Sequence, residues 1–92
     1  MTARPVPTID DLVDLLLPAW TEALGQPARA DSDFFALGGT SLTAVSIAVA
    51  VASGLEQYED IEVRALESVF ASPTLIDMAA ALKAFIEERP RA

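Results

Sequence analysis

The sequence has no cysteine and no histidine. Without cysteine there is neither a disulfide framework nor a thiolate centre. With histidine missing as well, zinc sites, Ser-His-Asp triads and Cys-His pairs are excluded. Basic residues are few: six Lys and Arg stand against fourteen Asp and Glu, a formal net charge of −8. Nucleic acids and anionic membrane surfaces both need a basic patch, so neither is an expected partner. The acidity suits partners with basic docking faces, and it also serves solubility alone. Long apolar runs are lacking too. The longest, Leu42 to Leu55, is broken by Thr43, Ser46, Ser53 and Gly54, and it falls short of the roughly 20 residues a membrane span needs. Met1 to Pro7 has no apolar core and does not read as a signal peptide. A cytoplasmic location is expected.

What is present is a 92-residue chain that is 52% apolar, rich enough in apolar residues to fold. A single domain over 1–92 is expected, with its core at about 8–89. A chain this short buries a modest core and leaves little room for a walled substrate cavity.

Four helical patterns are legible, and no strand alternation. After Pro5 and Pro7, Thr8 is placed as an N-cap with Asp11 at capping-box spacing. Asp10, Asp11 and Asp14 lie near the positive end of that helix. Ile9, Leu12, Val13, Leu16, Leu17, Trp20 and Leu24 form its apolar stripe, Gly25 stops it, and Pro18 should kink it. Gln26 to Thr40 reads as a long loop carrying Phe34, Phe35 and Leu37, which should pack it down. A second helix runs from Ser41 to about Ser53 and ends at Gly54. Its Ala44, Ile47, Ala48 and Val51 face the core, while Thr43, Val45, Ser46, Val49 and Ala50 face outward. A third runs from about Glu62 to Ala71 with Val63, Leu66, Val69 and Phe70 on one side. A fourth is capped by Thr74, with Asp77 at capping-box spacing, and ends before Pro90. Leu75, Met78, Ala79, Leu82 and Ile86 form its inner stripe, with Phe85 near the edge. The expected fold is all-α, a small four-helix bundle with a long first loop.

Catalysis would have to come from carboxylates alone. Asp31 and Asp33 are the one close pair in a loop, and Asp-x-Asp in a turn reads as local capping. Lys83, the one lysine, reads as a surface charge. "GGTSL" lacks the Gly-Lys-Ser/Thr ending of a phosphate-binding loop and the Gly-x-Ser-x-Gly of a nucleophile elbow. No catalytic or metal-ligating residue is assigned, and the chain is not expected to be an enzyme.

One stretch remains unexplained by these exclusions: "DSDFFALGGTSL", residues 31–42. On one reading Gly-Gly makes a turn, Thr40 or Ser41 caps the helix, and Leu42 begins the core. On another, Ser41 is offered to a second protein. Gly38 and Gly39 would let that partner's backbone approach closely. A phosphodiester on Ser41 would face the free N–H groups of a helix N-terminus. The modifying enzyme would supply the base that this chain lacks.

The stretch resembles the attachment motif of the phosphopantetheine-binding carrier proteins. Its Phe-Phe and Leu-Gly-Gly-x-Ser-Leu are similar to those of peptidyl carriers of nonribosomal peptide synthesis. Acyl carriers of fatty acid and polyketide systems more often have Gly-x-Asp-Ser-Leu, where Thr40 stands here. "WTEALG" and "LESVFASPTLIDMAAAL" resemble the family's first helix, third helix, Pro-Thr start and last helix. The resemblance implies the family's four-helix fold and a 4′-phosphopantetheine arm, taken from coenzyme A by a phosphopantetheinyl transferase and held on Ser41. Gly38, Gly39, Thr40 and Leu42 would be its motif residues. The arm's thiol would carry aminoacyl or peptidyl groups between adenylation, condensation and tailoring enzymes. Rival readings are an acyl carrier of a polyketide-like or fatty-acid-like pathway, an unmodified helical adaptor and, remotely, a small hydrolase. A free-standing monomer is expected.

Two departures from the family stand out. The second helix carries no charge, and Val45 and Val49 either form an apolar docking patch beside the serine or pack against the long first loop or the third helix. The connection 54–62 is long, with Leu55 and Tyr58 either covering the core or meeting a partner. Glu56, Glu59, Asp60 and Glu62 make that connection acidic.

Overall fold

Three of the four helices begin at a threonine side-chain cap, and the third helix starts after Asp60 without one. In the structure, a computed structural model that describes residues 6–88, α1 spans Ile9–Leu24, α2 Ser41–Gly54, α3 Ile61–Ala71 and α4 Leu75–Glu88. Pro5 and the rest of Met1–Pro5, the expected helix stop before Pro90 and the last expected core position, 89, lie outside the described residues. Thr8 caps α1 reciprocally: its hydroxyl accepts the Asp11 N–H, and its own N–H donates to the Asp11 carboxylate. Gly25, at φ +71°, closes α1 in the left-handed conformation that glycine adopts without penalty. Thr74 accepts the Asp77 N–H at the start of α4.

The helices pack in a closed ring. α2 lies against α1 and α3, and α4 lies against α3 and α1, while the backbones of the two diagonal pairs stay apart across the shared core. Each helix therefore turns one stripe inward. On α1 the fully buried residues are Leu12, Leu16 and Trp20, and on α2 they are Ala44, Ile47, Ala48 and Val51. On α4 they are Leu75, Met78, Ala79, Leu82 and Ile86. Those of α2 and α4 are the residues that the 3.6-residue period selects.

α3 departs from its expected stripe. Ile61, Ala65 and Val69 are buried and Leu66 is partly covered, but Val63 and Phe70 are exposed. The helix carries two apolar arcs, and the smaller one faces inward. α1 runs unbroken through Pro18, which lies on its exposed side. α2 ends at Gly54, as expected, and a Cβ there would lie 2.7 Å from the Leu15 side chain of α1.

Leu55 and Tyr58 close the lower end of the core. Leu55 is buried, and Tyr58 packs half-buried against the cluster. Lys83 is less solvated than expected. Its ammonium donates to the Pro7 carbonyl at 3.1 Å and pairs with Glu87 at 3.1 Å, tying the lead-in of α1 to α4.

Candidate functional site

The long loop is built as a scaffold for the start of α2. Asp33 accepts the Ala36 N–H on its carboxylate at 3.0 Å and the Leu37 N–H on its carbonyl at 3.1 Å. One tight turn forms, as expected of an Asp at that position. Asp31 makes an exposed 3.7 Å pair with Arg29. The two carboxylates thus have separate local partners. The loop is fastened to the α3–α4 turn by an isolated bridge between Asp33 and Thr74. Phe34 N–H donates to Pro73 O at 2.7 Å, Leu75 N–H to Ser32 O at 3.0 Å and Ile76 N–H to Ala30 O at 2.8 Å. At the other side, Gln26 Nε2 donates to Leu37 O at 2.8 Å.

Of the loop's three large apolar residues, Phe34 alone is fully buried. Its ring meets Trp20 edge-on with centroids 5.8 Å apart, and Phe70 at 6.4 Å. Phe35 stays half exposed, 6.2 Å from Phe70.

The two glycines have different reasons to be glycine. Gly38 has φ +86° with open space around it, a conformation that any other residue adopts at a cost. Gly39 has an ordinary φ, but a Cβ there would run into Cε2, Cζ and Cδ2 of Phe34. The place that a side chain at Gly39 would take is filled from inside the protein by Phe34.

Thr40 is the N-cap of α2. Its hydroxyl accepts the Thr43 N–H at 3.3 Å, and its own N–H donates to Thr43 Oγ1 at 2.8 Å. Capping thus falls to Thr40 and leaves Ser41 as the first helical residue. Ser41 is exposed, and its hydroxyl has no hydrogen-bond partner among the described residues. The N–H groups of the first helical residues have no partner within a helix. α1, α3 and α4 each carry acidic residues in their first turn, whereas α2 has none. The positive end of α2 beside Ser41 is therefore unneutralised.

Leu42 is 78% exposed instead of beginning the core. It leads an outward arc with Val45 and Val49, both about half exposed. Ser46 and Ser53 donate their hydroxyls to the carbonyls of Leu42 and Val49, which withdraws polarity from that side. Gly54 and Ala50 mark the flank of α2 that faces α1. Arg64, Glu67, Ser68 and Ala71 mark the flank of α3 that faces α4. Leu42, Val45 and Val49 lie away from the first flank, and Val63 and Phe70 lie away from the second. Neither arc lies on the flank toward α1 or α4. With Phe35, which approaches Phe70, the two arcs hold every large exposed apolar side chain of the described residues except Ile76. The α3 arc and Phe35 were missed in the sequence; the signal available was the second apolar arc of α3.

Among the described residues no group of three or more Asp or Glu could hold a metal ion, and no helix is long and apolar enough to cross a membrane. Comparison with known proteins gives one family match: a model described as a phosphopantetheine attachment site covers residues 14–82. No curated protein and no solved structure matches the chain.

Proposed function

The chain belongs to the phosphopantetheine attachment-site family, and from that premise we propose that Ser41 is the residue that receives the arm. The family carries 4′-phosphopantetheine covalently, and its domains are carriers, not catalysts, modified by a phosphopantetheinyl transferase. The observation that carries the assignment is the division of labour at the start of α2: Thr40 caps, and Ser41 is left exposed with an unengaged hydroxyl.

In the transfer, Ser41 Oγ attacks the phosphorus on the pantetheine side of the coenzyme A diphosphate. The P–O bond to the adenosine bisphosphate breaks, that nucleotide leaves, and the serine proton passes to a base of the transferase. The new phosphodiester keeps one negative charge at the first turn of α2. The free N–H groups and the helix dipole favour it there, and no acidic side chain in that turn opposes it.

The cargo we propose is an aminoacyl or peptidyl group, held as a thioester in nonribosomal peptide or hybrid natural-product assembly. Support comes from the Phe34-Phe35 and Leu37-Gly38-Gly39-Thr40-Ser41-Leu42 sequence, with Thr40 in place of Asp. An adenylation enzyme would load the arm, and condensation or tailoring enzymes would unload it. Val45 and Val49, within the apolar face beside Ser41, are proposed as partner contacts. Val45→Asp is expected to slow loading by a partner about tenfold through a higher KM, with an unchanged melting temperature. An unchanged KM would remove Val45 from the interface.

The deciding experiment is intact-protein mass after incubation with coenzyme A and a broad-specificity transferase. A gain of one phosphopantetheinyl unit, absent in Ser41→Ala, supports the site; a gain retained in that variant refutes it. Offering the loaded protein to amino-acid-activating and acyl-activating enzymes then separates peptidyl from acyl cargo.

A further inference from the structure

The fully buried ring of Phe34 fills the place where any other residue at position 39 would put its Cβ. The same residue is held from four directions. Its N–H donates to Pro73 O at 2.7 Å, and its carbonyl accepts the Gly39 N–H at 2.9 Å. Its ring contacts Trp20 on α1 and Phe70 on α3. Two residues beyond Gly39 is Ser41. Between them stands Thr40, whose extended φ −130°, ψ 174° lets it cap α2. The backbone that presents Ser41 is thus seated on a ring clamped by α1, α3 and the α3–α4 turn.

We propose that Phe34 and Gly39 act as a strut and socket that position Ser41 for phosphopantetheinyl transfer. Neither residue would touch the reacting atoms. Phe34 acts through Gly39 and Thr40: ring against bare backbone sets the direction in which the chain enters α2, and that direction sets where the Ser41 hydroxyl stands. Gly39 therefore serves a steric need, in contrast to Gly38, whose positive φ serves a turn. The inference rests on Ser41 being the attachment residue and goes beyond it by naming what aims that residue.

The test is transfer kinetics on Gly39→Ala, Phe34→Leu and the double variant, each assayed below its own unfolding transition with coenzyme A and one transferase. The proposed partner contacts Val45 and Val49 are not among the residues that hold Phe34, so KM for the carrier should stay within twofold. Gly39→Ala should lower kcat at least tenfold. Phe34→Leu, which makes room where Ala adds bulk, should restore kcat of the double variant several-fold over Gly39→Ala alone. A folded Gly39→Ala protein with wild-type kcat overturns the proposal, as does a fall that appears entirely in KM. If Gly39→Ala does not fold, Phe34→Leu alone carries the test: its loosened strut should lower kcat several-fold, and an unchanged kcat overturns the proposal. Wild type and Ser41→Ala run beside them. Loss of the Ser41 assignment shows there, as labelling of Ser41→Ala, and so is distinguished from failure of the strut.

Discussion

α1 and α2 open with the same hydrogen-bonded device and with opposite electrostatics. At Thr8 the reciprocal partner is the carboxylate of Asp11, 3.0 Å from the Thr8 N–H. At Thr40 it is the hydroxyl of Thr43, 2.8 Å from the Thr40 N–H. Both boxes satisfy the same orphan donors. The first also neutralises its helix dipole, aided by Asp10, and the second leaves its dipole open. An acidic protein with fourteen carboxylates thus keeps them out of the one first turn where Ser41 stands. A neutral cap gives up some helix stability, and on the proposed assignment of Ser41 it leaves the helix end open to an incoming phosphate.

Thr43→Asp makes the second terminus like the first, and it is the sharpest way to break the contrast. The box should survive, because a carboxylate accepts the Thr40 N–H as Asp11 accepts that of Thr8. The unmodified protein should gain up to about 1 kcal/mol from the dipole. Phosphopantetheinyl transfer should slow about three- to tenfold, since the arriving phosphate meets a like charge worth roughly 1 kcal/mol in a partly solvated setting. Melting curves with and without the arm read both signs: the variant's gain should shrink or reverse once the arm is attached. Equal gains in the two forms would mean that the phosphodiester does not sense the helix end.

Much of this frame was legible in the sequence, and the reasons for the failures are physical. The Thr8 and Thr74 caps, the Gly25 stop and the inner stripes of α2 and α4 follow from local chemistry and period, and the structure shows them. The expected stripe of α3 holds at Val69 and, in part, at Leu66, but Val63 and Phe70 draw it toward the outer side and away from Ile61 and Ala65. Periodicity finds arcs, and only tertiary packing says which arc is inside. The role of Gly39 has no local signature, because the atom that forbids a side chain belongs to Phe34, placed there by Trp20 and Pro73. Pro18 reads as a kink because its missing N–H is a local cost, and α1 continues through it, with Leu16 and Trp20 buried on either side. Of the candidate site, the sequence placed Ser41 at the start of a helix but left open whether it or Thr40 was the cap.

Removing the caps sharpens the comparison at smaller amplitude. Thr8→Ala and Thr40→Ala should each cost about 1 kcal/mol, a fall in melting temperature of about 4–8 °C for a domain of this size. Their effects on transfer should differ. Thr8→Ala should leave the rate unchanged. Thr40→Ala frays the turn that holds Ser41, and the rate should fall two- to threefold at a temperature where both variants are folded. Equal rates would mean that the cap stabilises α2 without aiming the serine.

The smallest effect on transfer is expected from Lys83→Met, which tests whether the contrast between the two termini is local. Lys83 holds the lead-in of α1 through the Pro7 carbonyl, and Glu87 through an ion pair that is half in solvent. A pair half in solvent contributes little, and a single part-buried hydrogen bond adds a modest amount, so the loss should be about 1 kcal/mol. Lys83 works just before the start of α1, whereas Phe34 meets Trp20 toward its end. A 16-residue helix is about 24 Å long, beyond the ~10 Å over which surface charges act at ordinary salt. Transfer to Ser41 should therefore be unaffected within error. A slower transfer in Lys83→Met, at a temperature where the variant is folded, would mean that the α1 and α2 termini are coupled through the bundle, and the neutral cap at Thr40 could then no longer be read as a purely local provision for the phosphate.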